Sequence, residues 1–333
     1  MISPVETALQ LVRTGQTAEA AAALRVAGDG GDAVALAELA TWYLHGELIP
    51  RDLEAARGCL SRAVAIGHVD AALMEVALTA NGSGGAPDWQ GAVALLRRAA
   101  ANDPLASQHL QLLDQMALDA DGTPRDLPPG RLLNASPRVE HFARFCTPIE
   151  CAFVASIAAP SLQPATVVDP ASGRMIPHPI RTSNDAPIGP AQESLVVQAI
   201  NRRIAAVTGT EAAQGEPLTV LRYEPGQQYR PHLDALPAPA RNQRVRTAIL
   251  YLNANFTGGK TVFPLLDIKV APGAGDLLVF DNVDAQGAPE PRSRHAGLPV
   301  VSGTKWIATR WIRARPTSAW ELSDEARAAT RVS

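Results

Sequence analysis

His232-Leu233-Asp234, His295 and, ten residues further on, Lys305 are the residues of this chain best able to do chemistry together. Two imidazoles and one carboxylate are the protein ligands of the facial triad, which leaves positions open on ferrous iron. His232 and Asp234 stand two apart, so in an extended chain they project to the same face and can grip one ion. His295 lies 61 residues beyond Asp234, far enough for a later strand to bring it opposite the pair. One formal negative charge then faces a divalent cation, with room left for a bidentate cosubstrate and dioxygen. The chemistry these types imply is oxygenation. Ligand type alone leaves Mn(II) and Zn(II) open as occupants of the same donors.

Lys305 adds a second requirement. If residues 305–312 form a strand, Lys305, Ile307, Thr309 and Trp311 share one face and Trp306, Ala308 and Arg310 the other. Lys305 then points inward, where an ammonium is costly unless paired. The distal carboxylate of a 2-oxo diacid such as 2-oxoglutarate is a fitting partner, and Thr309 on the same face joins the cosubstrate-binding candidates. Only Lys260, Lys269 and Lys305 among thirty basic residues are lysine. A lysine kept where arginine is the habit suggests a need for a compact ammonium.

These residues need a rigid support, and the chain divides into two rhythms. Residues 1–116 are rich in alanine and leucine and repeat with an offset of 36. Gly31-Asp32-Ala33 with Gly46 is echoed by Gly67-His68-Val69 with Gly82, and Asp52-Leu53-Glu54-Ala55-Ala56 by Asp88-Trp89-Gln90-Gly91-Ala92. Such a period signals stacked helix pairs. Residues 117–137 lack apolar periodicity and are broken by prolines, as a linker would be. Helices are expected at about Ile149–Ala158 and Ser194–Val207. Short β-rich runs follow at Thr219–Tyr223, Thr247–Leu252, Asp276–Phe280 and Trp306–Ile312, separated by Pro-Gly and Gly-Gly turns. The expected class is α+β: an α-helical repeat region, then a double-stranded β-helix (jelly roll) with supporting helices over 138–316, and a tail over 317–333.

Two resemblances sharpen this picture. The N-terminal pattern resembles Sel1-like repeats of the tetratricopeptide superfamily, in roughly two and a half copies. Residues 138–315 resemble the prolyl 4-hydroxylase branch of the Fe(II)/2-oxoglutarate dioxygenases. The matching motifs are Arg181-Thr182-Ser183, Tyr223-x-Pro225-Gly226-x-x-Tyr229-x-Pro231-His232-x-Asp234, Gln243-Arg244, Tyr251-Leu252-Asn253, Gly258-Gly259-Lys260-Thr261-Val262-Phe263-Pro264, Pro272-x-x-Gly275-Asp276, and His295-Ala296-Gly297-x-Pro299-Val300 with Gly303-x-Lys305-Trp306. This resemblance implies iron ligation by His232, Asp234 and His295, and a salt bridge from Lys305 to 2-oxoglutarate. It places Tyr223, Tyr251 and Thr261 beside the metal and cosubstrate, and Arg181, Ser183 and Arg244 near a peptide substrate. Tyr229 is read as packing. Lys260 departs from the acidic or small residue usual there and should point away from the cosubstrate if Thr261 points toward it. Ascorbate is a candidate reductant.

The implied reaction is hydroxylation of an unactivated carbon of a prolyl residue in a protein or peptide, with release of succinate and carbon dioxide. The alternatives are hydroxylation of a free amino acid or other small molecule, and a repeat scaffold with an oxygen- or 2-oxoglutarate-sensing domain. The helical repeats are either a protein-partner surface or a cap that stabilises the catalytic half. A net charge of −3 speaks against a general basic surface for nucleic acid. Neither a secretory leader nor an apolar stretch of roughly 20 residues is present. Cys59, Cys146 and Cys151 are too few and unevenly placed for a disulfide framework. The expectation is a cytoplasmic protein with no membrane span and three small buried thiols.

Overall fold

The computed structural model describes residues 2–168, 175–237 and 239–322. Its contacts divide the chain into two compact units, Met1–Gly122 with Pro190–Gln198, and Thr123–Gly189 with Ala199–Ser333. The first unit carries α1 (Pro4–Arg13), α2 (Thr17–Asp29), α3 (Ala33–His45), α4 (Leu53–Ala65), α5 (Val69–Asn81), α6 (Trp89–Ala100) and α7 (Pro104–Gln115).

The 36-residue period is a period of helix starts, stops and close contacts. Asp52 and Asp88, 36 apart, open α4 and α6 by accepting the backbone N–H of Ala55 and Gly91, groups that would otherwise lack a partner in the first turn. Gly46 and Gly82 end α3 and α5 with φ of 69° and 77°. That left-handed conformation excludes most side chains, and a Cβ would meet Arg51 or Pro87 at 3.0 Å. Ala20, Ala56 and Ala92, again 36 apart, are each fully buried, since a methyl group lets neighbouring helices close on one another.

The second unit is dominated by antiparallel strands: β1 (Gly130–Ala135), β2 (Arg138–Phe142), β3 (Gln163–Pro164), β4 (Thr166–Val168), β5 (Met175–Pro177), β6 (Asn184–Pro187), β7 (Thr219–Tyr223), β8 (Tyr229–His232), β9 (Arg244–Tyr251), β10 (Thr257–Gly258), β11 (Thr261–Phe263), β12 (Ile268–Val270), β13 (Leu277–Asp281), β14 (His295–Gly297), β15 (Val300–Ser302) and β16 (Lys305–Arg313). An eight-stranded sheet runs β1-β2-β13-β9-β16-β7-β6-β3 and a four-stranded one β12-β11-β14-β8. Leu221, Ile249, Tyr251, Phe280 and Ile307 from the larger sheet meet Phe263 and Val270 from the smaller in one core, the sandwich expected of a jelly roll.

Two helices brace it. In α8 (Pro148–Ala158), Thr147 and Glu150 form a reciprocal capping box. The same Glu150 pairs with buried Arg203 of α9 (Leu195–Thr208) at 2.9 Å. Gly130–Ala135 lies inside the proline-broken stretch 117–137 and is nonetheless a strand: Leu133 packs against the core while Leu132 faces outward. One leucine turned in and one turned out is too short a pattern to announce a strand. The tail beyond residue 322 lies outside the described residues. No helix among the described residues is long and apolar enough to cross a membrane, and Cys59, Cys146 and Cys151 are free and buried.

Candidate metal centre

β8 and β14 run side by side with His232 opposite His295, and Asp234 follows two residues after the end of β8. The three side chains are buried, and one ligand atom from each lies within 4.8 Å of the others. His232 Nδ1 donates to the Arg230 carbonyl at 2.8 Å and His295 Nδ1 to the Ser293 carbonyl at 3.1 Å. A carbonyl can only accept, so in each neutral ring Nδ1 carries the proton and Nε2 presents a lone pair. Those Nε2 atoms lie 3.4 and 3.7 Å from the oxygens of Asp234.

Burial is the main influence on His295 and pushes it down to about 4 against the attraction of Asp234, so its ring is neutral near pH 7. At Asp234 burial opposes the charge, but His295, His232 and the Thr247 hydroxyl outweigh it and hold the carboxyl well below the usual carboxylate range. Two Nε2 atoms and a carboxylate brought to one buried point can share a cation between them. The donor set fits a divalent metal ion bound on one side.

The other end of the same pocket is cationic. Lys305 stands opposite Tyr223 across the β16–β7 pairing, Ile307 opposite Leu221, and Thr309 opposite Ile249 on β9. All of these line the pocket together with Tyr229, Thr261, His295 and Trp311, so the strand parity read from the sequence is the parity observed. Lys305 is 3% exposed; its Nζ donates to the Gly259 carbonyl at 2.7 Å. It sits 5.5 and 5.8 Å from the ring centres of Tyr223 and Tyr251. Among the described residues no carboxylate pairs with it, and burial pushes its pKa down to about 8. Such an ammonium invites an anion. Thr261, whose hydroxyl accepts from Tyr251 Oη at 2.7 Å, lines the pocket, while neighbouring Lys260 is exposed.

The residues expected near a substrate are distributed around this pocket. Arg181 donates to Asp185 at 2.9 Å and lies 5.6 Å from the ring centre of Tyr229. Ser183 is buried with no hydrogen-bond partner for its hydroxyl. Arg244 makes a forked pair with Glu216 at 2.6 and 2.7 Å and lies 4.3 Å from the ring centre of Trp311. Tyr229, read from the sequence as packing, stacks on His232 with centroids 3.4 Å apart and lines the pocket as well. Trp311 was placed on the Lys305 face but given no role, and three further residues escaped sequence reasoning. Trp311 lines the pocket as that parity requires. Glu216, Thr247 and Asn282 carry no sequence signal, because their importance rests on partners distant in the chain.

The arrangement matches a known family. Residues 218–313 match the model of the 2OG-Fe(II) oxygenase superfamily. The chain is 38% identical over 201 residues to prolyl 4-hydroxylase 1 of Arabidopsis thaliana, covering 55% of this chain and 71% of that protein. Among solved structures, a viral collagen prolyl hydroxylase from Paramecium bursaria Chlorella virus-1, in its 2OG complex, is 30% identical with a TM-score of 0.44, covering 53% of this chain and 96% of the other. A Sel1 repeat protein from Oxalobacter formigenes is 27% identical with a TM-score of 0.30, covering 32% of this chain and 85% of the other. With its ligand cluster, its pocket lysine and this identity to a prolyl 4-hydroxylase, the chain belongs to the prolyl 4-hydroxylase family of Fe(II)/2-oxoglutarate-dependent dioxygenases.

Proposed function

We propose that the second unit hydroxylates a prolyl residue in a protein or peptide, with His232, Asp234 and His295 holding Fe(II) and Lys305 holding the distal carboxylate of 2-oxoglutarate. The observation that carries this reading is one pocket lined both by three converging donors and by a buried ammonium that has no carboxylate partner among the described residues. Bound iron and 2-oxoglutarate supply the activation of dioxygen, with 2-oxoglutarate converted to succinate and carbon dioxide while one oxygen atom enters the substrate. The chain's own residues do the positioning. Thr261 and Tyr251 present hydroxyls beside Lys305, Thr309 and Tyr223 shape the cosubstrate wall, and the apolar lining of Leu221, Ile249 and Ile307 keeps water away.

A peptide substrate is supported by the rim. Tyr229 and Trp311 offer flat faces suited to a pyrrolidine ring, each beside an arginine, Arg181 or Arg244, able to donate to peptide carbonyls. Ser183 offers a buried hydroxyl nearby. The helical unit would bring a protein partner or the substrate. Three free buried thiols favour a cytoplasmic setting.

The test is succinate release from Fe(II), 2-oxoglutarate and proline-containing peptides, with mass spectrometry for a product one oxygen heavier. Wild type should turn over and His232→Ala should not; equal release in both would remove the site assignment. Consumption of 2-oxoglutarate with no oxidised peptide across a broad library would move the substrate to a free amino acid or another small molecule.

A further inference from the structure

We propose that Asn282 and Thr247 form a hydrogen-bond relay that commits one oxygen of Asp234 and leaves the other for the metal, making this carboxylate a one-oxygen ligand. The proposal rests on the reading of Asp234 as a metal ligand. Thr247 Oγ1 donates to Asp234 Oδ2 at 2.7 Å, and Asn282 Nδ2 donates to Thr247 Oγ1 at 2.9 Å. Both relay residues are fully buried.

The direction of the chain is forced by proton counting. A hydroxyl has one proton, and an ionised carboxylate only accepts. Thr247 must therefore give its proton to Asp234, and whatever faces Thr247 from the other side must be a donor. Of the two ends of the Asn282 amide only Nδ2 qualifies, which assigns the amide orientation from the network itself. The opposite end agrees: Asn282 Oδ1 is buried without a partner, an unfavourable arrangement that an apolar residue would avoid.

The backbone holds the relay in place. Thr247 sits within β9, opposite Phe280 of β13 and Trp311 of β16. Asn282 follows directly on β13, its N–H donating to Val245 and its carbonyl accepting from the Glu290 N–H, both at 2.9 Å. With Oδ2 held by Thr247, the oxygen left without a hydroxyl donor is Oδ1, 3.4 Å from His232 Nε2. A carboxylate freed from Thr247 could turn and chelate through both oxygens, taking up a position that a bidentate cosubstrate and dioxygen need.

The test uses the full chain with Co(II) as probe, read by its visible absorption, and adds 2-oxoglutarate to the Co(II) form. Thr247→Val should bind Co(II) about 10- to 100-fold more weakly and shift the absorption band, Thr247→Ser should return both, and Asn282→Leu should fall between. If Thr247→Val does not fold, Asn282→Leu against wild type decides: a relay requires weaker Co(II) binding and a shifted band at an unchanged melting temperature. Unchanged affinity and spectrum in folded Thr247→Val or Asn282→Leu would overturn the relay, as would failure of Thr247→Ser to restore them. Asp234→Ala separates the two levels of argument. Loss of Co(II) there with no effect in Thr247→Val sinks the relay alone, whereas wild-type Co(II) binding in Asp234→Ala sinks the metal-site reading beneath it.

Discussion

Replacing Lys305 by methionine should make the cosubstrate-free protein more stable while destroying its affinity for 2-oxoglutarate. Burial lowers the lysine from 10.5 to about 8, and each unit is worth about 1.4 kcal/mol, so at pH 7 the ammonium costs the fold about 3 kcal/mol. Methionine fills much of the same volume without charge. It also strands the Gly259 carbonyl that accepts from Nζ, which returns roughly 1–3 kcal/mol of that gain. The net expectation is about 0–2 kcal/mol in favour of the variant at pH 7.

The pH dependence distinguishes this cause from any other. Because the folded pKa lies below the unfolded one, the fold binds fewer protons between about 8 and 10.5. The penalty is complete below pH 8, shrinks as pH rises through that window and is gone above it, where the lysine is neutral in both states. The advantage of Lys305→Met over wild type in urea denaturation should accordingly vanish, or reverse, near pH 10.5. Saturating 2-oxoglutarate at pH 7 should stabilise wild type and leave the variant unmoved, since removing one partner of a buried pair costs about 3–5 kcal/mol, more than a hundredfold in affinity. A variant less stable than wild type at pH 7 without cosubstrate, or a difference independent of pH, would refute the reasoning.

Two further outcomes test the rim and the repeats. Arg244→Lys cannot reproduce the forked pair with Glu216 or the flat contact with Trp311, so the KM for peptide should rise about tenfold or more while 2-oxoglutarate turnover without peptide stays as it was; a change in the latter alone would count against a substrate role. Gly82→Ala places a Cβ on a residue at φ 77° and 3.0 Å from Pro87, so thermal denaturation should show a loss of about 1–2 kcal/mol with Co(II) affinity unchanged.

What the chain disclosed in advance depended on whether a signal was local. His232, Asp234 and Lys305 follow from spacing and strand parity, because alternation along an extended chain is strict. The 36-residue offset was legible because Asp52, Asp88, Gly46 and Gly82 are local stop and start signals. Residues 130–135 were hidden, since a strand at a sheet edge needs only one inward leucine, Leu133. Tyr229 was visible as a motif member, but its stacking on His232 accompanies a register shift in the β8–β14 pairing between the two residues. Thr247 and Asn282 look like ordinary polar residues until a strand 35 residues away brings them together.

His232 and His295, the proposed metal ligands, stand on the smaller sheet, and Lys305 and Tyr223 on the larger. On the proposed function, a five-carbon diacid gripped at both ends would be a caliper set across the sandwich, and the gap between the sheets would become its length standard. A shorter or longer 2-oxo diacid can satisfy one jaw but not both. Mutations that merely spread the sheets, anywhere along the core from Leu278 to Phe263, would be felt first as a change in which cosubstrate fits.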